Sequence, residues 1–365
     1  MAILKGLKIV EFEGLGPGPF CGMLLADLGA DVILIERPNS ASSGPAAVFN
    51  RGKRSIVLDL KDPAHIDIAK KLTRTAEGII EGLRPGVMER LGLGPEVLCA
   101  ENPKLVYGRL TGWGQDGPLA QTAGHDVNYI SIAGANWYAS QTGDVPVAPP
   151  TLVGDVAGGA LYLAIGILSG VLQARQTGKG TVVDAAIVDG AAHMLSLLFS
   201  LKAAGGLPEA RGGSMLDGAH FYDVYRCADG RHVSFGALEP KFYFLALEKL
   251  GLNDDPDFKV QYDQTKWPAA KQKLRDLFAS QPASHWNRLL GGTDACFAQV
   301  LSPEEALENE HVKARSTLRN IAGVLQAAPA PRFDGEIPAD PLPPPTAGQH
   351  TEEILAELGL REGSL

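Results

Sequence analysis

Apolar and polar positions alternate along the first third of the chain in a repeating strand–helix–strand pattern. Short apolar runs, typical of buried strands, are separated by longer stretches with one apolar face, typical of helices. The predicted strands are residues 7–12, 31–36, 56–61, 76–82 and 105–110, and the predicted helices include 19–28 and 63–75. This alternation predicts an α/β protein with an open parallel sheet, which binds ligands beyond the carboxyl ends of its strands.

The longest apolar helices follow in the middle of the chain. They are predicted at 157–172 and 187–204, with a short strand at 182–185 between them. The first holds four glycines and is typical of a buried helix rather than a membrane span. Residues 205–218 hold five glycines and a proline, and we place a domain boundary there.

A small α+β domain is predicted beyond this boundary. Asp229-Gly230 is a typical hairpin turn between strands at 221–227 and 232–236. Further elements are predicted as helices at 240–250, 267–279, 282–290 and 303–309 and a strand at 296–300. Dense prolines from Pro329 to Pro345 predict an extended linker before a helix at 348–358. The predicted parts are a large domain (1–204), a small domain (205–328), and a linker with a C-terminal helix (329–365).

A polar cluster, Gly124-His125-Asp126-Val127-Asn128-Tyr129, interrupts the apolar pattern, and Asp155 follows among small residues. If the fold brings His125 and Asp155 to opposite sides of one cavity, the site holds two proton carriers. Each residue also has a purely structural interpretation. A lone histidine is often a hydrogen-bonded structural group, and an aspartate before a helix is often its cap. The spacing alone leaves both interpretations open.

Two other motifs bear on ligand binding. The turn at 14–19 is rich in glycine but lacks the GxGxxG spacing, so we interpret it as a tight turn rather than a nicotinamide site. Arg37 and the run 51–54 place four positive charges near a strand end, which predicts either a phosphate site or ordinary solvated charges. Basic residues near the predicted strand ends are Arg37, Lys61, Arg84 and Arg90.

Composition narrows the class of protein. A chain of 365 residues with 45% apolar and 21% charged residues is typical of a soluble protein with two domains. A net charge of -9 argues against nucleic acid or an acidic membrane as the main partner. The scattered cysteines predict buried thiols rather than zinc or disulfides; they are Cys21, Cys99, Cys227 and Cys296. The terminal segments 1–6 and 362–365 carry no targeting pattern, which predicts a cytoplasmic location.

Several motifs resemble the family III coenzyme A transferases of the CaiB/BaiF type. They are the segments 6–11 and 24–32, Asn50-Arg51-Gly52-Lys53-Arg54-Ser55, Arg84-Pro85-Gly86 and Glu89-Arg90-Leu91-Gly92-Leu93-Gly94. Within that family, residues 16–23, 123–129 and 236–243 are similar to the racemase branch, whose members interconvert (R)- and (S)-2-methylacyl-CoA thioesters. The resemblance extends from the N-terminus to about the end of the small domain. It implies a Rossmann-like large domain closed by the returning C-terminus, and two chains interlocked as a homodimer.

The resemblance also implies roles for individual residues. His125 and Asp155 match the two acid/base groups of the racemases, and Glu239 matches a glutamate that supports the histidine. The residues that match coenzyme A contacts are Arg37, Leu58, Asp59, Leu60, Lys61, Gly82, Leu83, Arg84, Arg90, Gly124, Asp126, Val127, Asn128 and Tyr129. No metal ligand and no cofactor is implied, since coenzyme A is part of the substrate.

Racemisation requires a positioned base for the weakly acidic α-proton of the thioester and stabilisation of the enolate. Our hypothesis is that His125 removes the proton from one face while protonated Asp155 supplies one to the other, with the roles exchanged in reverse. Backbone amides at 124–126 would donate to the thioester oxygen. Two alternatives stay open. A CoA-transferase would use Asp155 as a nucleophile, and a CoA-thioester-binding protein without turnover would not need His125, Asp155 and Glu239 together.

Overall fold

The structure is a computed structural model, and it describes residues 2–40, 44, 46–141 and 143–361. The termini used in the expectation of a cytoplasmic location, residue 1 and residues 362–365, lie outside them. The chain divides into two compact units. The first comprises Met1–Ala135, Pro149–Met194 and Leu307–Leu365, and the second comprises Asn136–Ala148 and Leu195–Ala306. These limits differ from the boundaries drawn from the sequence at 204/205 and 328/329.

A six-stranded parallel sheet forms the centre of the first unit. Its strands are β1 (Lys8–Phe12), β2 (Asp31–Glu36), β3 (Arg54–Val57), β4 (Gly78–Glu81), β5 (Val106–Thr111) and β6 (Val182–Ala186), in the order β3-β2-β1-β4-β5-β6. The strand order reverses between β1 and β4, so the chain leaves these neighbours in opposite directions and opens a crevice at their carboxyl ends. The predicted α/β, Rossmann-like fold class is confirmed.

The helices cover both faces of this sheet or follow it in the chain. The helices in the first 203 residues are α1 (Pro17–Asp27), α2 (Pro63–Thr75), α3 (Val87–Arg90), α4 (Pro95–Glu101), α5 (Asp126–Ile132), α6 (Leu161–Thr177), α7 (Ile187–Met194) and α8 (Ser196–Ala203). Two short 3-10 turns lie at Val48–Asn50 and Ala135–Tyr138, and a wide π-helical segment, Leu152–Ala160, leads directly into α6.

Side chains of the strands alternate between two apolar clusters. On β1, Val10 and Phe12 belong to one cluster, and Ile9 belongs to the other. Helices α2 and α14 (Thr351–Glu357) cover the first face, while α1 and α6 cover the second. Strands buried on both faces carry almost continuous apolar runs, which is why the sequence pattern located them.

Several predicted elements differ from the structure. The third strand is Arg54–Val57 rather than 56–61, because its parallel register with β2 ends at Val57 and residues 58–61 form a loop. The predicted helix 187–204 is two helices, and their separation coincides with the passage of the chain from one unit to the other. A hairpin of β10 (Leu318–Ile321) and β11 (Val324–Ala327) was not predicted. Cys99 and Cys296 are only partly buried, whereas Cys21 and Cys227 are buried as expected.

The second unit contains a three-stranded antiparallel sheet with helices. The elements that follow α8 in the chain are β7 (Tyr222–Arg226), β8 (His232–Gly236), α9 (Pro240–Leu250), α10 (Trp267–Ala279), α11 (Ala283–Leu290), β9 (Phe297–Gln299), α12 (Pro303–Glu308) and α13 (Glu310–Ala314). Its core contains the aromatic side chains of Tyr225, Phe235, Phe278 and Trp286. The Asp229-Gly230 hairpin is present between β7 and β8.

One stretch, residues 152–177, is long and apolar enough to cross a membrane by length and composition. The core helix of a soluble protein can have the same composition. In this structure α6 packs against β5 and β6, and Leu163 and Ile167 belong to the apolar cluster on one face of the sheet.

The C-terminal helix α14 packs on the first unit near β3. Ile354 and Leu355 are buried in the apolar cluster on that face. Arg54 on β3 forms ion pairs with Asp31, Glu353 and Glu357 at N···O distances of 2.6, 2.9 and 2.6 Å. The chain that follows the proline-rich linker therefore returns to the large sheet.

A buried ion pair lies between β1 and α1. The side chains of Lys53 and Glu11 are 0% exposed, their closest N···O distance is 2.7 Å, and Lys53 Nζ also donates to the carbonyl of Pro19 at 3.1 Å. Burial raises the pKa of Glu11 to about 7, although Lys53 opposes the shift. A Cβ atom at Gly22 would overlap Oε2 of Glu11 and lie 2.8 Å from its Cδ. Glycine at position 22 is therefore what lets α1 lie against this ion pair.

We expect Gly22→Ala to lower the free energy of unfolding by about 2 kcal/mol or more, because displacing a buried charge pair costs more than the ~1 kcal/mol that alanine gains in a helix. Gly18→Ala, on the same helix, is the matched control, since its Cβ would lie 3.9 Å from Ile80. Urea denaturation measures both. Equal midpoints for the two variants would show that the ion pair adapts freely.

Candidate active site

A cavity of about 770 Å³ opens at the carboxyl ends of the central strands of the first unit. Its walls comprise the turn at 14–19, the loops 58–61 and 82–85, residues 110–113 at the end of β5 and just after it, and the segment 122–125. Such a volume accommodates a medium-sized ligand or part of a larger one. The cavity lies where the strand order reverses, as expected for an open parallel sheet.

Most of the predicted site residues line this one cavity. Those on its wall are Arg37, Leu58, Asp59, Leu60, Lys61, Gly82, Leu83, Arg84, Gly124, His125, Tyr129 and Asp155. Four predicted coenzyme A contacts lie close to wall residues in the sequence but do not line the cavity themselves, namely Arg90, Asp126, Val127 and Asn128. Glu239 lies in the second unit, directly before α9, and its support of His125 stays a prediction.

Three exposed cations surround the cavity: Arg37, Lys61 and Arg84. Arg37 is held in place by Glu13, whose Oε2 accepts from the backbone amide of Arg37 at 2.8 Å and from its Nε at 3.2 Å. The side chain of Arg37 is nevertheless 71% exposed. Cations on the wall of a cavity suit the phosphates of a nucleotide-containing ligand.

The second part of the predicted basic cluster does not belong to this site. Arg51 is buried against Asp27 at 2.6 Å, Lys53 against Glu11, and Arg54 forms the ion pairs with Asp31 and the C-terminal helix. A phosphate site at residues 51–54 is therefore wrong. These charges compensate for carboxylates that lie far away in the sequence, and they stabilise the fold instead.

The His125 segment is held by aromatic packing. His125 immediately precedes α5, and its backbone amide donates to Asn128 Oδ1 at 3.1 Å. The ring of Tyr129 meets Trp113 edge to face with centroids 4.8 Å apart, and its hydroxyl donates to the carbonyl of Gly124. A Cβ at Gly124 would lie 2.8 Å from the Tyr129 ring, so the close approach requires glycine. The imidazole is exposed on the cavity wall.

Asp155 lies inside the π-helical segment Leu152–Ala160 rather than at a helix start. The N-cap position of that segment is Thr151, with φ 62°, so the interpretation of Asp155 as a helix cap is wrong. Burial and the neighbouring carboxylate of Asp126 raise the pKa of Asp155 to about 6, although His125 opposes the shift. Near neutral pH this carboxyl can therefore exist in both protonation states, as a group that gives and takes protons must.

Sequence reasoning missed the carboxylates that position the cavity walls. Glu81, buried at the end of β4, accepts from the amide of Leu83 at 2.8 Å and from Arg109 Nε at 2.9 Å. Arg109 also contacts Glu89 at 2.9 Å. These bonds hold the loop that contains Gly82 and Arg84. A charged residue that ends an otherwise apolar strand was the available signal.

The fold and the cavity together define a Rossmann-like protein with a ligand site at the switch point of its sheet. The chain belongs to the CoA-transferase family III, whose family model matches residues 4–351. The predicted family is thus confirmed.

Known relatives and solved structures agree with this membership. The chain is 42% identical to human alpha-methylacyl-CoA racemase, over 98% of this chain and 93% of the human protein, and 38% identical to the mouse protein of the same name, over 99% and 94%. It is 27% identical to human succinyl-CoA:glutarate CoA-transferase, over 97% and 86%. The crystal structure of a CAIB/BAIF family protein from Brucella suis superposes with a TM-score of 0.83 at 26% identity, covering 97% of this chain and 99% of the other.

We expect Asp155→Asn to stabilise the fold at neutral pH. A carboxyl whose pKa is raised in the folded state binds more protons there than in the unfolded chain, so stability falls as pH rises from about 4 to about 6. The substitution removes that cost, and after discounting for partial exposure we expect a gain of about 1 kcal/mol at pH 7. Urea denaturation at pH 7 and pH 4 measures it, and the gain should vanish at pH 4. Asp116→Asn, at an exposed aspartate, is the control; an equal gain at both pH values would contradict the assignment.

Proposed function

We propose that the protein is a racemase that interconverts (R)- and (S)-2-methylacyl-CoA thioesters by removing and returning the α-proton. One observation carries the proposal: His125 and Asp155 line a single cavity, and Asp155 has a pKa of about 6. A carboxyl that exchanges its proton near neutral pH, with an imidazole in the same cavity, suits a reaction in which each group acts as base in one direction. The racemase relatives, similar over almost the whole chain, support the same activity.

The reaction needs both groups in opposite protonation states. In one direction neutral His125 takes the α-proton, the carbanion relaxes to an enolate, and protonated Asp155 gives a proton to the opposite face. In the other direction ionised Asp155 is the base and protonated His125 is the acid. The enolate oxygen requires hydrogen-bond donors. The amides at 124–126 remain the predicted donors, although that of His125 already donates to Asn128.

We assign the coenzyme A moiety to the part of the cavity wall that carries the three cations. Arg37, Lys61 and Arg84 would contact phosphates, and the loops 58–61 and 82–84 would flank the rest of the carrier. The contacts predicted for Arg90 and for residues 126–128 stay predictions, as do the cofactor-free reaction and the cytoplasmic location. The acid/base chemistry proposed here uses only groups that the chain itself supplies.

The main alternative is a CoA-transferase, since the family model has that name and a relative named as a CoA-transferase is similar to this chain over almost its whole length. It would use Asp155 as a nucleophile, which must be ionised. The raised pKa of Asp155 and the histidine in the same cavity favour proton transfer instead. A protein that binds CoA thioesters without turnover has no need of either feature.

Isotope exchange separates these functions. We expect that one enantiomer of a 2-methylacyl-CoA, incubated with the protein in deuterium oxide, gains deuterium at the α-carbon and loses optical purity. His125→Ala should slow racemisation by about 100-fold or more and change KM by less than about threefold. His311→Ala, at an exposed histidine on α13, is the matched control. Mass spectrometry and chiral chromatography give both readouts.

Other outcomes point to the other functions. Transfer of CoA to an added free carboxylic acid, without α-deuteration, would replace the racemase by the transferase. A fall in binding rather than in turnover for His125→Ala would contradict the catalytic role of the imidazole. Binding of the thioester without either reaction would favour the protein without turnover.

We also propose that two chains form a homodimer. Helix α6 leaves one apolar face uncovered in a single chain, since Leu161, Ile165 and Leu172 are 37%, 60% and 62% exposed. A contiguous apolar face on a well-packed helix is typical of a surface covered by another chain. A second copy of this chain would cover it, as the family resemblance implies.

Light scattering after size exclusion tests the assembly. We expect a mass of twice 38.6 kDa for the wild-type protein. Ile165→Asp should shift it towards the mass of one chain, because it buries a charge in the interface. Gln173→Glu, an exposed polar position on the same helix, should leave the mass unchanged. A single-chain mass for the wild-type protein at all concentrations would refute the dimer.

A further inference from the structure

The carboxylate of Asp126 does not face the cavity but bonds to the segment that contains Asp155. Asp126 is 8% exposed, and its Oδ1 accepts from the backbone amides of Gly154 and Asp155, both at 2.9 Å. Asp126 directly follows His125 in the sequence. One side-chain oxygen therefore joins the two segments that carry the proposed acid/base groups.

We propose that Asp126 is a positioning residue: its carboxylate fixes the main chain at Asp155 relative to His125 and brings a second negative charge close to Asp155. This role rests on the proposed racemase function. It differs from the coenzyme A contact that the family resemblance implies for this position.

The backbone around Asp155 explains why such a bond is needed. The π-helical segment begins after Thr151, whose φ is 62°, and its first amides precede any turn that could bond them within the helix. Val156 bonds back to Thr151 at 3.0 Å, whereas Gly154 and Asp155 donate to Asp126. Without the Asp126 carboxylate, two amides of this wide turn would lose their acceptor, and an unsatisfied buried donor is costly.

The fit of the two segments is close. A Cβ on Gly154 would overlap Oδ1 of Asp126 and would lie 2.9 Å from the side chain of Ile130 on α5. Residue 154 must therefore be glycine for the carboxylate to reach both amides. The contact is thus built from both sides, by a short acidic side chain on α5 and by a missing side chain on the π-helical segment.

The same carboxylate acts on Asp155 through its charge. Hydrogen bonds from two backbone amides compensate for the burial of the Asp126 carboxylate. Its negative charge disfavours the ionisation of a second carboxyl group nearby. Burial raises the pKa of Asp155 most, and the charge of Asp126 raises it further, whereas His125 lowers it. The reaction needs protonated Asp155 as the acid in one direction, so Asp126 shifts the carboxyl towards the form that this step uses.

Two substitutions separate the geometric effect from the charge. Asp126→Asn keeps an oxygen that can accept both amides but removes the charge. The readout is the pH profile of kcat/KM, measured with the enantiomer for which Asp155 is the base. We expect its lower inflexion, at about pH 6 in the wild-type protein, to fall by about one pH unit. We expect kcat to fall by less than about tenfold. Asp126→Ala also removes the acceptor, so kcat should fall by about 100-fold with KM changed less than about threefold.

A measurement without turnover keeps this inference independent of the proposed function. Carbon-13 NMR of the aspartate carboxyls, assigned with Asp155→Asn, reports the titration of Asp155 directly. Asp126→Asn should lower its midpoint, and Asp116→Asn, at an exposed aspartate, should not. If the shift occurs but no racemisation is found in the wild-type protein, the positioning role stands and the racemase function fails.

Two results would overturn the inference. One is an unchanged Asp155 titration in Asp126→Asn. The other is an Asp126→Ala variant whose loss is in KM with kcat retained, as expected of a residue that only contacts coenzyme A. Because Asp126→Asn conserves shape and hydrogen bonding, it tests the charge even if the alanine variant does not fold.

Discussion

Three glutamates buried at the carboxyl ends of adjacent strands constrain how the rest of the large unit can fold. Glu11 on β1, Glu36 on β2 and Glu81 on β4 are at most 1% exposed. A carboxylate in such a place is costly unless it is paired or protonated. Each one therefore has a partner from another part of the chain, and these partners bring the surrounding segments to the crevice.

The three partnerships hold three different segments. Lys53 pairs with Glu11 and also donates to the carbonyl of Pro19, which fixes the start of α1 beside the cavity. The hydroxyl of Ser55 donates to Glu36 and accepts from the amide of Gly348, which connects the C-terminal segment to β3. Glu81 binds the amide of Leu83 and is compensated by Arg109. The partners that these buried carboxylates require therefore position the segments around the ligand site.

The extent to which sequence predicts this structure follows from the range of the interactions involved. Strands such as 31–36 and helices such as 63–75 and 240–250 were predicted correctly because their apolar spacing is a local property. The hairpin of β10 and β11 was missed because Ala322 and Gly323 both have positive φ, and alanine is not the usual residue for such a turn. The family resemblance identified His125 and Asp155, which local patterns alone had left open.

What sequence could not give was the set of pairings between distant segments. The positive charges at 51–54 suggested a ligand site, because their partners Asp27, Glu11 and Asp31 adjoin them only after folding. The family resemblance assigned Asp126 a coenzyme A contact, and nothing near it in the sequence indicates that Gly154 and Asp155 donate to its side chain. A carboxylate's role depends on which donors the fold brings to it.

The environment of Asp155 bears on how one fold can host both transferases and racemases. A nucleophilic carboxylate must be ionised and is favoured by neighbouring cations and donors, whereas an acid/base carboxyl must hold its proton for part of the cycle. In this chain the side chain of Asp155 is partly buried, a second carboxylate lies behind its backbone, and a histidine shares the cavity. Partial burial and the second carboxylate raise the pKa of Asp155 and disfavour its ionised form, whereas the histidine lowers this pKa. In this chain the neighbours of Asp155 favour the proton-transfer role proposed for it over a nucleophilic one.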